Sequence, residues 1–276
     1  MVRIIPRLDI KGANLVKGIH LEGLRVLGAP QEFARHYYES GADELLFLDI
    51  VASLYQRNNL ASVVTRIARE IFIPLTVGGG LRSIDDIRAM LCAGADKVAF
   101  NTAAIKNPRL VQEAARRFGS STVVVSIEAQ RRPDGSYEAY VDNGRERTGM
   151  EVLSWARRAV ELGAGELLVT SIDREGTGTG FDLELTKAVA GAVPVPVIAC
   201  GGAGCAAHVA EAITDGYADA VSVASLLHYE FLPRVSPVNR APGARPGFSR
   251  VTGVSLPDLK RALAAHGIQT RPLAAA

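Results

Sequence analysis

Residues Gly41–Ile50 read GADELLFLDI, and residues Gly163–Asp173 read GAGELLVTSID. Each string is a glycine at a helix end followed by a short apolar strand that closes on an aspartate. The likeness continues downstream: IPLTVGGGLRS (Ile73–Ser83) is matched by VPVIACGGAG (Val195–Gly204), and GADKVAFNTAA (Gly94–Ala104) by YADAVSVASL (Tyr217–Leu226). The offset stays at about 120 residues, pairing Glu44 with Glu166, Gly79 with Gly202, Asp96 with Asp219 and Thr102 with Ser225. One half-structure is therefore written twice. Each copy ends in a Gly-rich turn after one apolar strand and a small hydroxyl residue after the next. Both devices suit a phosphate, because glycine lets backbone N–H groups approach an anion and a helix N-terminus favours negative charge.

Outward from these strings, short β-branched runs alternate with helical patterns eight times. The strands are Arg3–Ile10, Glu44–Ile50, Pro74–Val77, Lys97–Phe100, Thr122–Ile127, Glu166–Ser171, Pro196–Ala199 and Ala220–Val223. Several are continuously apolar, as parallel strands covered by helices should be. Amphipathic stretches separate them, many closed by a C-terminal glycine: Gly41, Gly94, Gly119, Gly163 and Gly267. Eight βα units in this length predict a single α/β domain, residues 1–276, folded as a (β/α)8 barrel of the TIM type built from two half-barrel repeats. A doubly wound open sheet gives no reason for two equivalent halves. Tyr229–Val254, with four prolines, three glycines and four arginines, breaks the rhythm and reads as an irregular insertion after strand eight.

Composition narrows the function. A formal charge of +2 gives no footing for a nucleic-acid partner. No apolar run approaches the roughly 20 residues needed to span a bilayer. The N-terminal MVRIIPRLDI reads as a strand rather than a signal peptide, and Cys92, Cys200 and Cys205 form no metal-like cluster. A soluble cytoplasmic protein with no metal site and no cofactor is expected.

The active site of such a barrel lies at the C-terminal ends of its strands. The acids there are Asp9, Asp49, Glu128 and Asp173. Asp9 closes strand one and Glu128 closes strand five, so they face each other across the mouth and can divide general acid and base work. The phosphate candidates form two sets: Gly79, Gly80, Asn101 and Thr102, then Gly176, Gly202, Ala224 and Ser225. Gly176–Gly180 (GTGTG) reads as a mobile loop near the second set. At the opposite ends of the strands, Arg3, Glu44, Lys97 and Glu166 can form a ring of alternating charge around the floor.

The strings LDIKGANLVKG, GADELLFLDIVAS, PLTVGGG, GADKVAFNTAA, TSIDREGTGTGFD and GGAG resemble the cyclase subunits of imidazole glycerol phosphate synthase, of histidine biosynthesis. The resemblance covers Arg3–Tyr229 and again Leu256–Arg271. The related phosphoribosyl isomerases share the barrel, the repeat and both phosphate grips, but LFLDIVAS and Lys97 follow the cyclase pattern. The resemblance implies a ribotide substrate with a phosphate at each end. It also implies a separate glutaminase subunit, in a heterodimer, whose ammonia enters through the barrel floor. Asp9 then matches a catalytic acid/base, and Lys17, Asp49, Ser53, Asp173 and Asp182 surround the substrate. Arg3, Glu44, Lys97 and Glu166 match the ammonia gate, and Asp96 matches a residue of the partner interface. Two positions depart from the family: Glu128 stands where the second catalytic residue is aspartate, and Arg7 where a small residue is usual. Arg7 shares strand parity with Asp9, so it should point inward, with Glu128 as its expected ion-pair partner. Two alternatives stay open: a paralogue that channels ammonia to another acceptor, such as a sugar to be amidinated, and a non-catalytic subunit that activates a glutaminase.

Overall fold

A computed structural model describes residues 1–52, 60–236, 241 and 250–272. In chain order its strands are β1 (Arg3–Lys11), β2 (Asn14–Ile19), β3 (Glu22–Gly28), β4 (Leu45–Asp49), β5 (Leu75–Gly78), β6 (Lys97–Phe100), β7 (Val123–Arg131), β8 (Tyr137–Val141), β9 (Glu146–Glu151), β10 (Glu166–Ser171), β11 (Val197–Cys200) and β12 (Ala220–Val223). The helices are α1 (Pro30–Glu39), α2 (Leu60–Ala68), α3 (Ile84–Ala93), α4 (Thr102–Lys106), α5 (Arg109–Phe118), α6 (Val152–Glu161), α7 (Leu183–Ala190), α8 (Ala206–Thr214), α9 (Ser225–Phe231) and α10 (Leu256–Ala265).

Eight strands pair in parallel in the order β1-β4-β5-β6-β7-β10-β11-β12, and β12 returns to β1, closing the barrel. Closure leaves no barrel edge. All eight overlap the strands expected from the sequence, with β7 running four residues beyond Ile127 to Arg131, into its hairpin. Alternation then sorts their side chains. One parity feeds the layer between strands and helices, where Phe33, Tyr37, Phe47, Ile87 and Trp155 are buried. The other fills the barrel axis with Ile5, Leu46, Ala99, Val124, Leu168, Ile198 and Ala220. The axis is thus a packed core, and the site must sit above it.

Local chemistry sets the connections. In α3, Ser83 Oγ accepts from Asp86 N at 3.1 Å and Asp86 Oδ2 accepts from Ser83 N at 3.0 Å, while Gly94 ends the helix in a left-handed conformation. The repeated aspartates of the GAD strings also have a local task. Asp43, Asp96 and Asp219 accept the backbone N–H of Ile4, Leu75 and Val197 at 2.8–2.9 Å, satisfying an amide at the start of a neighbouring strand.

Two antiparallel hairpins were not anticipated. β2 and β3 extend from β1, and β8 and β9 extend from β7, at equivalent places in the two halves. The insertion also begins later than Tyr229: Tyr229–Phe231 complete α9 and Leu232–Arg234 form a 3-10 turn, because Leu227, Phe231 and Leu232 bury their side chains. Most of the remainder of that segment lies outside the described residues, as does Ser53.

Candidate active site

At the floor, the four charged residues expected there meet in one ring. Arg3 donates to Glu44 at 2.8 Å and to Glu166 at 2.5 Å; Lys97 donates to the same two carboxylates at 3.0 and 2.9 Å. Thr76 adds a hydroxyl to Glu44 at 2.5 Å. Each cation bridges both anions, so the ring closes on itself. The exposed Asp96 lies on this face too, beside a groove of about 360 Å³ that includes Phe72, an aromatic ring 78% exposed.

At the other end is a cavity of about 600 Å³. Arg7, Asp49, Gly79, Gly80, Asn101, Thr102 and Glu128 all line it. The first phosphate set and two strand-end carboxylates, Asp49 and Glu128, therefore share a single space. Lys106, Arg82 and, from the turn between β8 and β9, Asp142 and Asn143 complete its wall. The sequence carried a signal for that turn: Asp142, Asn143 and Gly144 all have positive φ, and Asp-Asn-Gly between alternating residues marks a hairpin.

The second set repeats the backbone of the first. Asn101 precedes α4 with φ −115° and ψ −76°; Ala224 precedes α9 with φ −123° and ψ −81°. Gly79 and Gly202 both hold positive φ, and a Cβ there would fall 2.2 Å from the Asp49 carbonyl oxygen or 2.1 Å from that of Gly180. The duplication is thus conformational as well as sequential. Gly176, Gly202, Ala224 and Ser225 lie outside the 600 Å³ cavity, and the Ser225 hydroxyl is buried without a partner. The GTGTG loop is packed rather than free-standing: Gly180 N bonds Gly202 O at 2.8 Å, and a Cβ on Gly176 would strike the Gly18 carbonyl oxygen at 2.6 Å.

The remaining expected residues have assigned partners. Lys17, buried on β2, pairs with Glu175, a residue the sequence reading passed over, and donates to Gly18 O at 3.0 Å. Burial works against the Lys17 charge, but Glu175 outweighs it and raises the ammonium pKa. Asp182 caps α7, accepting from Leu185 N at 3.0 Å and from the Tyr137 hydroxyl at 2.9 Å. Asp173 accepts from Arg131 N at 2.9 Å. Burial raises Asp49, with the amides of Val51 and Ala52 pulling the other way.

Arg7 does not bond Glu128. Its Nε donates to Asp9 Oδ1 at 2.7 Å, and both residues are buried. Two residues apart on one face of β1, they stand close enough for that pair. Glu128 Oε2 instead accepts the Gly144 N–H at 2.7 Å. Burial pushes the Glu128 carboxyl up to about 7, an effect that the Gly144 amide and the nearby Arg7 charge only partly offset. The mouth therefore holds one carboxylate in a direct ion pair and one that exchanges its proton near neutrality. Among the described residues, no group of three or more His, Cys, Asp or Glu is placed to hold a metal ion, and no helix is long and apolar enough to cross a membrane.

Comparison with known proteins agrees with this architecture. A sequence model of the family described as "Histidine biosynthesis protein" matches residues 3–233. An imidazole glycerol phosphate synthase subunit HisF of Legionella pneumophila is 62% identical over 203 residues, which is 74% of this chain and 96% of the relative. The subunit of the same name from Alkaliphilus metalliredigens (strain QYMF) is 51% identical over 227 residues, 82% of this chain and 90% of the relative. With its closed half-repeated barrel, this chain belongs to the histidine biosynthesis protein family, among the HisF subunits of imidazole glycerol phosphate synthase.

Proposed function

We propose that the chain is the ammonia-using cyclase of a glutamine amidotransferase. It converts a formimino-aminoimidazole carboxamide ribotide, phosphorylated at both ends, into imidazole glycerol phosphate and aminoimidazole carboxamide ribotide. The observation that carries this reading is the 62% identity to a named synthase subunit over nearly that protein's whole length. The paired turns at Gly79–Gly80 with Asn101–Thr102, and at Gly202 with Ala224–Ser225, support a ligand with two phosphates. Asp49, Asp173, Gly176, Asp182 and Lys17 surround it, Lys17 and Asp182 through the groups they hold.

Ammonia adds to the ketose carbonyl carbon, water leaves as the carbon–nitrogen double bond forms, and ring closure breaks the bond to the departing ribotide nitrogen. Protons must leave the attacking nitrogen and reach each departing group. We assign this exchange to Asp9 and Glu128: Glu128 lines the cavity, Asp9 is buried behind it against Arg7, and a carboxyl near 7 is suited to giving a proton at neutral pH. A separate glutaminase subunit, docked over Asp96 and the Phe72 groove, delivers ammonia through the ring of Arg3, Glu44, Lys97 and Glu166. The test is turnover of the formimino ribotide with ammonium salt at high pH, followed by loss of substrate absorbance. Turnover that disappears in Asp9→Asn is expected; a purified, folded chain that turns over nothing would refute the cyclase.

A further inference from the structure

Arg7 stands in the upper part of the barrel, buried beside Asp9. Its guanidinium is spread over three strands. Nε donates to Asp9 on β1 at 2.7 Å, and Nη1 reaches Thr170 Oγ1 on β10 at 3.4 Å and Cys200 Sγ on β11 at 3.3 Å. The same residue lines the 600 Å³ cavity. The charged and titratable groups facing it are Asp9 on its own strand, Glu128 on β7, Cys200 on β11, Glu175 after β10, and Lys17 on β2. Asp142, in the turn between β8 and β9, also faces Glu128.

One cation thus serves two carboxylates unequally. Asp9 receives a charge-assisted hydrogen bond that fixes its orientation. Glu128 receives only the field of that charge, its own hydrogen bond coming from the Gly144 amide. Two carboxyl groups in unlike surroundings at one mouth are the arrangement that separates acid from base. We propose that Arg7 is a positioning residue that divides the proton work: it fixes Asp9 as the acceptor and leaves Glu128 to deliver protons. The assignment rests on the cyclase reading and adds Arg7 to it.

The contrast with a merely structural arginine lies in the pH profile. A packing residue changes stability without moving the titration of Glu128. A positioning cation sets where that titration falls, because its charge holds the Glu128 pKa down. The experiment uses the full chain with Arg7→Met and Arg7→Lys, the bis-phosphorylated ribotide, and free ammonia held constant across pH. Arg7→Met is expected to lower kcat by about tenfold with little change in KM, and to move the alkaline limb up by about one pH unit. Arg7→Lys keeps the charge and should leave the limb near its original pH, while losing kcat because it lacks the guanidinium fork. An unmoved limb in folded Arg7→Met, a loss confined to KM, or a limb displaced equally in Arg7→Lys would overturn the proposal. Absence of turnover in the unmodified protein would instead overturn the cyclase reading on which it stands.

Discussion

Burial raises the Glu128 carboxyl from 4.5 to about 7, against the pull of the Gly144 amide and the Arg7 charge. The folded chain therefore binds more protons than the unfolded chain between those two values. Stability from this group is fully present below about pH 4.5 and is lost as pH rises through about 7. Glu128→Gln removes the titration, so relative to the unmodified protein it should gain about 2 kcal/mol more at pH 8.5 than at pH 4.5, the half-burial of the side chain keeping the effect below the full linkage value. Urea unfolding at the two pH values checks this; equal differences at both would contradict it. The position of Glu128 was legible from its place at a strand end. Its proton affinity was not, because that depends on how deeply the folded chain buries it.

Among the elements, the Gly-rich turn after β5 has little tolerance. Gly79 holds φ +98°, and a Cβ would sit 2.2 Å from the Asp49 carbonyl oxygen. Gly135, at φ +86°, has nothing within 4 Å of the same atom. Gly135→Ala should therefore cost only left-handed strain, about 1 kcal/mol. Gly79→Ala must also displace the end of β4 and should cost at least twice that, with weakened binding at the neighbouring turn. Thermal unfolding of the two variants separates strain from collision. The turns were legible because glycine spacing repeats between the halves. The two hairpins were passed over because neither forms a long apolar run: β3 is mostly exposed and β9 mostly polar. Asp142-Asn143-Gly144 was the readable sign of the second turn; the first is made by His20 and Leu21, which adopt positive φ without a turn signature in the sequence.

Across the whole molecule, the last helix fastens the first half to the floor. Lys260 on α10 donates to Asp43 Oδ1 at 2.7 Å and to the Gly41 carbonyl at 2.8 Å, with both charged side chains buried. Arg271 reaches the same carboxylate at 3.2 Å from a half-exposed position. Removing one partner of a buried pair leaves an uncompensated charge, so Lys260→Met should cost about 3 kcal/mol and Arg271→Ala about 1 kcal/mol or less. A melting comparison of the two variants would refute this clasp if they lost stability equally.

By itself the sequence determined the eight barrel strands, the two equivalent halves, the charged floor ring and the strand-end carboxylates, because alternation, glycine caps and repeat offset are local and periodic. Only the tertiary structure decided how the charges are shared. Arg7 pairs with Asp9 and not Glu128, Lys17 is held by Glu175, and Asp182 is spent as a helix cap. Strand parity states that a side chain points inward, whereas its partner depends on which acceptor the closed barrel brings nearest. For Lys17 and Glu175 that choice is made between residues 158 apart in the chain, whereas Arg7 takes an acceptor two residues away because the closed barrel holds Glu128 beyond its reach.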